Sequence, residues 1–162
     1  MKIANISGYE VVNVNRIADA DVVITLSETE TDIPKISVKV NTYTQLLNSI
    51  NDVSHRFNTR CDEEKINEIK SLIEENDKKK YMRENIKVKV YSNFLTDTVK
   101  DMGFDITDDD YEYVVVPDYM KDKLDERGNV LVVPSHKNVS FDIIERINER
   151  YHLLESKLCT KQ

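Results

Sequence analysis

The stretch DMGFDITDDDYEYVVVP, residues 101–117, decides how the second half of this chain is read. Gly103 closes a helical pattern, and a short apolar run over 104–107 follows. Only DDDY (108–111) separates that run from the next one, over 112–116. A parallel crossover takes a dozen or more residues, so so short a joint predicts a hairpin between antiparallel strands.

Working outward, the joint sits inside a repeat of pattern. KVKVYSNFLTDTVKDMGFDIT (87–107) reads strand, helix, glycine, strand, and EYVVVPDYMKDKLDERGNVLVV (112–133) reads the same way. The two copies align Val90 with Val115, Asn93 with Asp118, Leu95 with Met120, Val99 with Leu124 and Gly103 with Gly128. Asn93 and Asp118 are expected as helix N-caps, and each glycine as the left-handed residue that ends a helix. With a hairpin between the copies, the order β-α-β-β-α-β predicts the split, ferredoxin-like arrangement. A last helix follows, capped by Ser140 and stapled by Val139 and Ile144. Its apolar stripe is Ile143, Ile147, Tyr151, Leu154 and Leu158.

The first half predicts an antiparallel sheet with a helical hairpin. KIANI and YEVVNV flank a Ser7-Gly8 link of hairpin type. VVITL (22–26) is a short buried run, and KISVKV (35–40) alternates apolar and polar residues in the manner of a half-exposed antiparallel strand. The period then changes. Thr42 and Gln45 form a capping-box pair ahead of Leu46, Ile50, Val53 and Phe57, and Asp62 caps a helix striped by Ile66, Ile69 and Ile73. The expected fold class is therefore α+β, divided into a strand-rich unit with two helices (1–77), a charged linker (78–85), and the βαββαβ unit with its terminal helix (86–162).

Composition removes several functions. A formal charge of -7 opposes a general phosphate-backbone binder, so no nucleic-acid partner is expected. No long apolar stretch of membrane-spanning length occurs, and the N-terminus lacks the pattern of a secretory signal. Two cysteines, Cys61 and Cys159, and three histidines make neither a zinc pattern nor a disulfide framework, which is read as reduced thiols in a cytoplasmic protein. Three glycines cannot build a dinucleotide fingerprint, and no cofactor is expected. The scarcity of Ala beside abundant Asn, Ile, Lys and Asp suggests an AT-rich source, with a viral or phage component among the options.

Three constellations are candidates for function. The loop carboxylates Asp105, Asp108, Asp109 and Asp110, together with Asp118, are hard oxygen donors suited to Mg²⁺ or Mn²⁺, although EF-hand spacing is absent. Asp118 and Ser135 each follow a Val-Val-Pro. In the split arrangement both strands finish at one edge with a strand between them, about 10 Å apart, which would bring Asp118, Ser135 and His136 to one surface. Ser135 and His136 point to opposite faces of an extended chain, which disfavours a hydrolase. Finally, Tyr151, Leu154 and Leu158 extend the last stripe beyond what a small unit is expected to cover, and so are candidates for an interface. Two functions follow: a non-catalytic interaction, regulatory or assembly protein that contacts a protein partner or itself as a homo-oligomer, or a small Mg/Mn-dependent enzyme acting on phosphate esters through the acidic loop.

Overall fold

The computed structural model describes residues 6, 22–27, 29–123, 129–135 and 139–159, and divides the chain into two units, Met1–Ile73 and Glu74–Gln162. The first unit holds strands β1 (Val23–Leu26) and β2 (Lys35–Val38), helix α1 (Tyr43–Phe57), and the start of helix α2 (Glu63–Arg83), which runs on into the second. The stretch expected as a charged linker, 78–85, is thus helical as far as Arg83. The Ser7-Gly8 link lies outside the described residues.

β1 and β2 pair in parallel, Val23 with Lys35 through Leu26 with Val38, so the antiparallel expectation for this sheet is corrected. Four-residue strands are only about 13 Å long, a distance that the extended reach of residues 27–34 easily returns without a helix. The Lys35 ammonium steadies the return by donating to the carbonyls of Ser27 (3.2 Å) and Thr29 (2.6 Å). α1 begins as its sequence directs: the Thr42 hydroxyl accepts from Gln45 N at 3.1 Å, while Gln45 Oε1 accepts from Asn41 N, one residue earlier than in the standard box. Leu46, Ile50 and Val53 are buried, and the helix stops at Asn58, whose φ of 51° is left-handed. Ser49, on the same buried face, exchanges hydrogen bonds with both Lys39 N and Lys39 O, which fixes the end of β2 on α1.

The second unit contains β3 (Lys87–Val90), α3 (Asn93–Asp101), β4 (Asp105–Ile106), β5 (Tyr113–Pro117), a 3-10 helix (Asp118–Lys123), β6 (Asn129–Val133) and α4 (Ile143–Leu158). The sheet order is β4-β3-β5-β6, and every pairing is parallel. This overturns the ferredoxin-like arrangement, in which β3 and β4 are not neighbours and the joint at 108–111 is a hairpin. The class remains mixed α and β.

Register explains how so short a joint leads to a parallel strand. β4 pairs with the start of β3, Lys87 with Asp105 and Val88 with Ile106, while β5 begins opposite Val88 at Tyr113. A two-residue strand never leaves the amino end of the sheet, so residues 107–112 travel no strand length. They only cross from one flank of β3 to the other, a span of two strand spacings, about 10 Å. Thr107 N donates to Val88 O on one flank and Glu112 N to Lys87 O on the other.

β5 lies between β3 and β6, and all five of its residues are buried, as expected of a central parallel strand. Among the helices, Arg83 of α2 is buried at 2% exposure. Its Nη1 donates to Asn76 Oδ1 and to Met102 O, both at 2.8 Å, and its Nη2 reaches Glu155 of α4. Asn76 donates in turn to the carbonyl and carboxylate of Asp101, which also accepts from the Tyr151 hydroxyl at 2.6 Å. One connected network therefore joins α2, the end of α3 and the middle of α4, and satisfies charges that burial would otherwise penalise. No described helix is long and apolar enough to cross a membrane.

Gly103 follows α3 with φ +88°, the left-handed conformation expected of it, and a side chain there would stand 2.9 Å from Lys80 Cβ and Cγ. Gly103→Ala therefore combines backbone strain with a clash against α2. A loss of about 2 kcal/mol is expected in urea unfolding, with the slope unchanged.

Candidate functional site

The chemistry-bearing residues of the second unit lie at two opposite ends of its sheet. At the amino end is the acidic loop. Asp105 lies exposed on β4, Asp108 and Asp109 are exposed beyond it, and the Thr107 hydroxyl donates to Asp109 O and accepts from Asp109 N, which makes a self-contained turn. Asp110 has a left-handed φ of 53° and accepts from Lys87 Nζ at 2.9 Å. That hydrogen bond, with the attraction between the charges, holds the Asp110 carboxyl below the ordinary carboxylate range and raises Lys87. Asp118 stands at the other end of β5, about 16 Å along a five-residue strand. The five carboxylates offered by the sequence for one metal site are thus not brought together, and among the described residues no three His, Cys, Asp or Glu side chains form a metal-holding group.

At the carboxyl end the two Val-Val-Pro segments do meet. β5 and β6 are direct neighbours, with Val116 opposite Val132 and Pro117 opposite Val133, rather than separated by a strand. Asp118 Oδ1 accepts from the Ser135 hydroxyl at 2.5 Å and from Tyr119 N at 2.9 Å. Asp118 is the first residue of a 3-10 helix whose amide it engages, close to the capping role expected of it. His136 lies outside the described residues.

The same edge contains the point where the strand order reverses, between β3 and β5, which in open α/β sheets is the usual place for a ligand crevice. Ser92 sits there with φ 112° and ψ 146°, a region that side-chain-bearing residues rarely occupy. Its hydroxyl is buried with no hydrogen-bond partner among the described residues and leaves α3 uncapped, while its carbonyl accepts from both the amide and the hydroxyl of Thr96. Asn93, expected as the cap, is instead the first helical residue. Sequence reasoning missed Ser92, because nothing in the letters YSNF signals a positive φ.

α4 builds the outer part of this edge. Arg150 lies over the Phe94 ring at 4.9 Å and reaches the Thr98 hydroxyl at 3.5 Å, Tyr151 meets Asp101, and Glu155 shares Arg83 with Met102. Rising numbers on α3 thus match rising numbers on α4, so the helices run side by side in one direction. Burial pushes the Arg150 guanidinium down to about 10, which leaves it charged at neutral pH and stacked on the aromatic face. The seven residues of α4 before Arg150 carry its start about 10 Å past Phe94. Asp142 caps that start by accepting from Ile144 N and Glu145 N, displacing Ser140 from the expected capping role. Ser140 supports it instead, its hydroxyl accepting from Asp142 N and donating to Glu145. Phe141, beside the cap, is 97% exposed, and Tyr119, next to Asp118, is 51% exposed. Tyr151, Leu154 and Leu158, offered by the sequence as an interface, are all buried, so the exposure on which that expectation rested is missing.

Two measurements check this geometry. Ser92→Gly relieves the strain and removes a buried unpartnered hydroxyl, and is expected to raise stability by about 1 kcal/mol despite the greater freedom of glycine in the unfolded chain. In a carboxyl-detected NMR titration, Asp110 titrates below the ordinary carboxylate value and returns to it in Lys87→Met. Because its folded value is depressed, the contribution of the pair is present above the unfolded value and disappears as pH falls through the folded one.

No curated protein matches this sequence. Residues 84–159 match the family model described as the MJ0786 family C-terminal domain, a similarity that begins one residue after Arg83 and takes in the whole four-stranded sheet, α3 and α4.

Proposed function

We propose that this protein acts by binding a protein partner, as an interaction, regulatory or assembly component, and that the carboxyl edge of the parallel sheet is its contact surface. The observation that carries the proposal is Phe141: a phenylalanine 97% exposed at the projecting start of α4, on the edge that also bears exposed Tyr119. Aromatic side chains supply a disproportionate share of binding energy at protein interfaces, and a phenyl ring left in water gains most from being covered. The polar groups of the edge support a binding role over a catalytic one. Ser135 is partnered by a carboxylate, which lacks the proton affinity of the imidazole that activates a serine, and Asp118 is engaged by Ser135 and a backbone amide.

Affinity capture from the native host, with mass-spectrometric identification, tests the proposal. A protein retained by the wild type and lost with Phe141→Asp/Tyr119→Asp, while the variant melts at the wild-type temperature, is the expected result. Equal retention by both chains defeats it. A thermal shift with Mg²⁺ or Mn²⁺ that disappears in Asp108→Ala/Asp110→Ala would favour the metal-dependent enzyme instead.

A further inference from the structure

The two edges of the four-stranded sheet are built differently. β4, at one edge, is two residues long, carries Asp105, and runs into Asp108, Asp109 and Asp110. Shortness and charge are standard ways of making a strand unsuitable for pairing with another chain. β6, at the other edge, has neither protection. Its five residues, Asn129–Val133, include four aliphatic side chains and no charge, and Val130 is 40% exposed. In a parallel ladder alternate residues turn their N–H and C=O groups to opposite flanks, so β6 directs half of its backbone groups away from β5. Among the described residues no backbone hydrogen bond of β6 goes anywhere but to β5.

We propose that β6 pairs antiparallel with β6 of a second copy, joining two four-stranded sheets into one of eight strands about a two-fold axis. The proposal rests on the reading of the chain as an interaction protein, but on a surface distinct from the Phe141 edge. The occupant is a second copy because the strand is complementary to itself. The chain carries a net charge of -7, so two copies repel each other on balance, whereas Asn129–Val133 brings no charge of its own to the contact. An antiparallel register centred on Leu131 sets Val130 against Val132 of the partner subunit, a branched aliphatic pair favoured across strands. A two-fold contact also closes on itself and leaves no further edge of this kind, since the remaining edges are the acidic, two-residue β4 strands.

Light scattering on a sizing column at micromolar to sub-millimolar concentration tests the pairing. The wild type is expected at twice the 18.9 kDa chain mass. Val130→Lys, at a position exposed enough to accept it, is expected at half the wild-type mass with an unchanged melting profile, and Val130→Thr at the full dimer mass. A wild type that stays at one chain's mass overturns the proposal, as does a dimer that survives Val130→Lys. If Val130→Lys fails to fold, hydrogen exchange of the wild type at two concentrations decides. Outward-facing β6 amides that slow as concentration rises support the pairing, and amides that do not change sink it. Phe141→Asp separates the two surfaces, because it is expected to leave the dimer intact while abolishing partner capture.

Discussion

Strand β5 can be buried on both faces only because β3 and β6 accept and donate its backbone hydrogen bonds on both flanks. An unpaired amide in that position would cost about as much as a valine side chain gains by burial. The rest of the second unit follows from meeting this condition. Both neighbours run parallel to β5, so every connection to them must reach the amino end of the sheet. α3 does so between β3 and β4, the acidic loop does so between β4 and β5, and the segment opening with the 3-10 helix does so between β5 and β6. A parallel sheet in turn collects its loops and helix starts at one edge, and there the structure places Ser92, Asp118, Ser135 and the start of α4.

Charge is handled in two different ways in this unit. Where it is buried, at Arg83, both terminal nitrogens are engaged, by Asn76, the Met102 carbonyl and Glu155, and the network fixes three helices relative to one another. Where it is exposed, in the 105–112 loop, the one ion pair among the described residues is Lys87–Asp110, and the charge guards a sheet edge. The similarity to the family model spans the sheet and α4 but not Asn76 or Arg83 of α2, although these residues hold α3 and α4 in place.

Local signals in the sequence were accurate where the physics is local. The Thr42 cap, the stripe of Leu46, Ile50 and Val53, the left-handed Gly103 and four residues of the α4 stripe (Ile147, Tyr151, Leu154 and Leu158) appear as the spacing predicts, with Ile144 buried in place of Ile143, because helix starts, ends and faces depend on residues within a turn or two. The charged run Lys78, Lys79 and Lys80 hid the end of α2, since a helix can be held by two inward positions, Asn76 and Arg83, that are themselves polar. The repeated Val-Val-Pro put Asp118 and Ser135 at one sheet edge, but by way of the split arrangement with a strand between them, whereas β5 and β6 are direct neighbours and the two side chains touch. The exposure of Phe141 and the strain at Ser92 left no trace in the letters.

Within the described residues, most helices and strands, their apolar faces and the acidic character of the loop were legible in the letters, because each rests on propensity, capping or periodicity over a few residues. Strand direction and neighbour order came from long-range packing. A six-residue connection is too short to return along a long strand, but long enough to cross beneath one when the strand it leaves is two residues long. The length of β4 is not a local property. β4 takes up only the first two of the four residues of β3, Lys87 and Val88, and that pairing exists only once the sheet has formed.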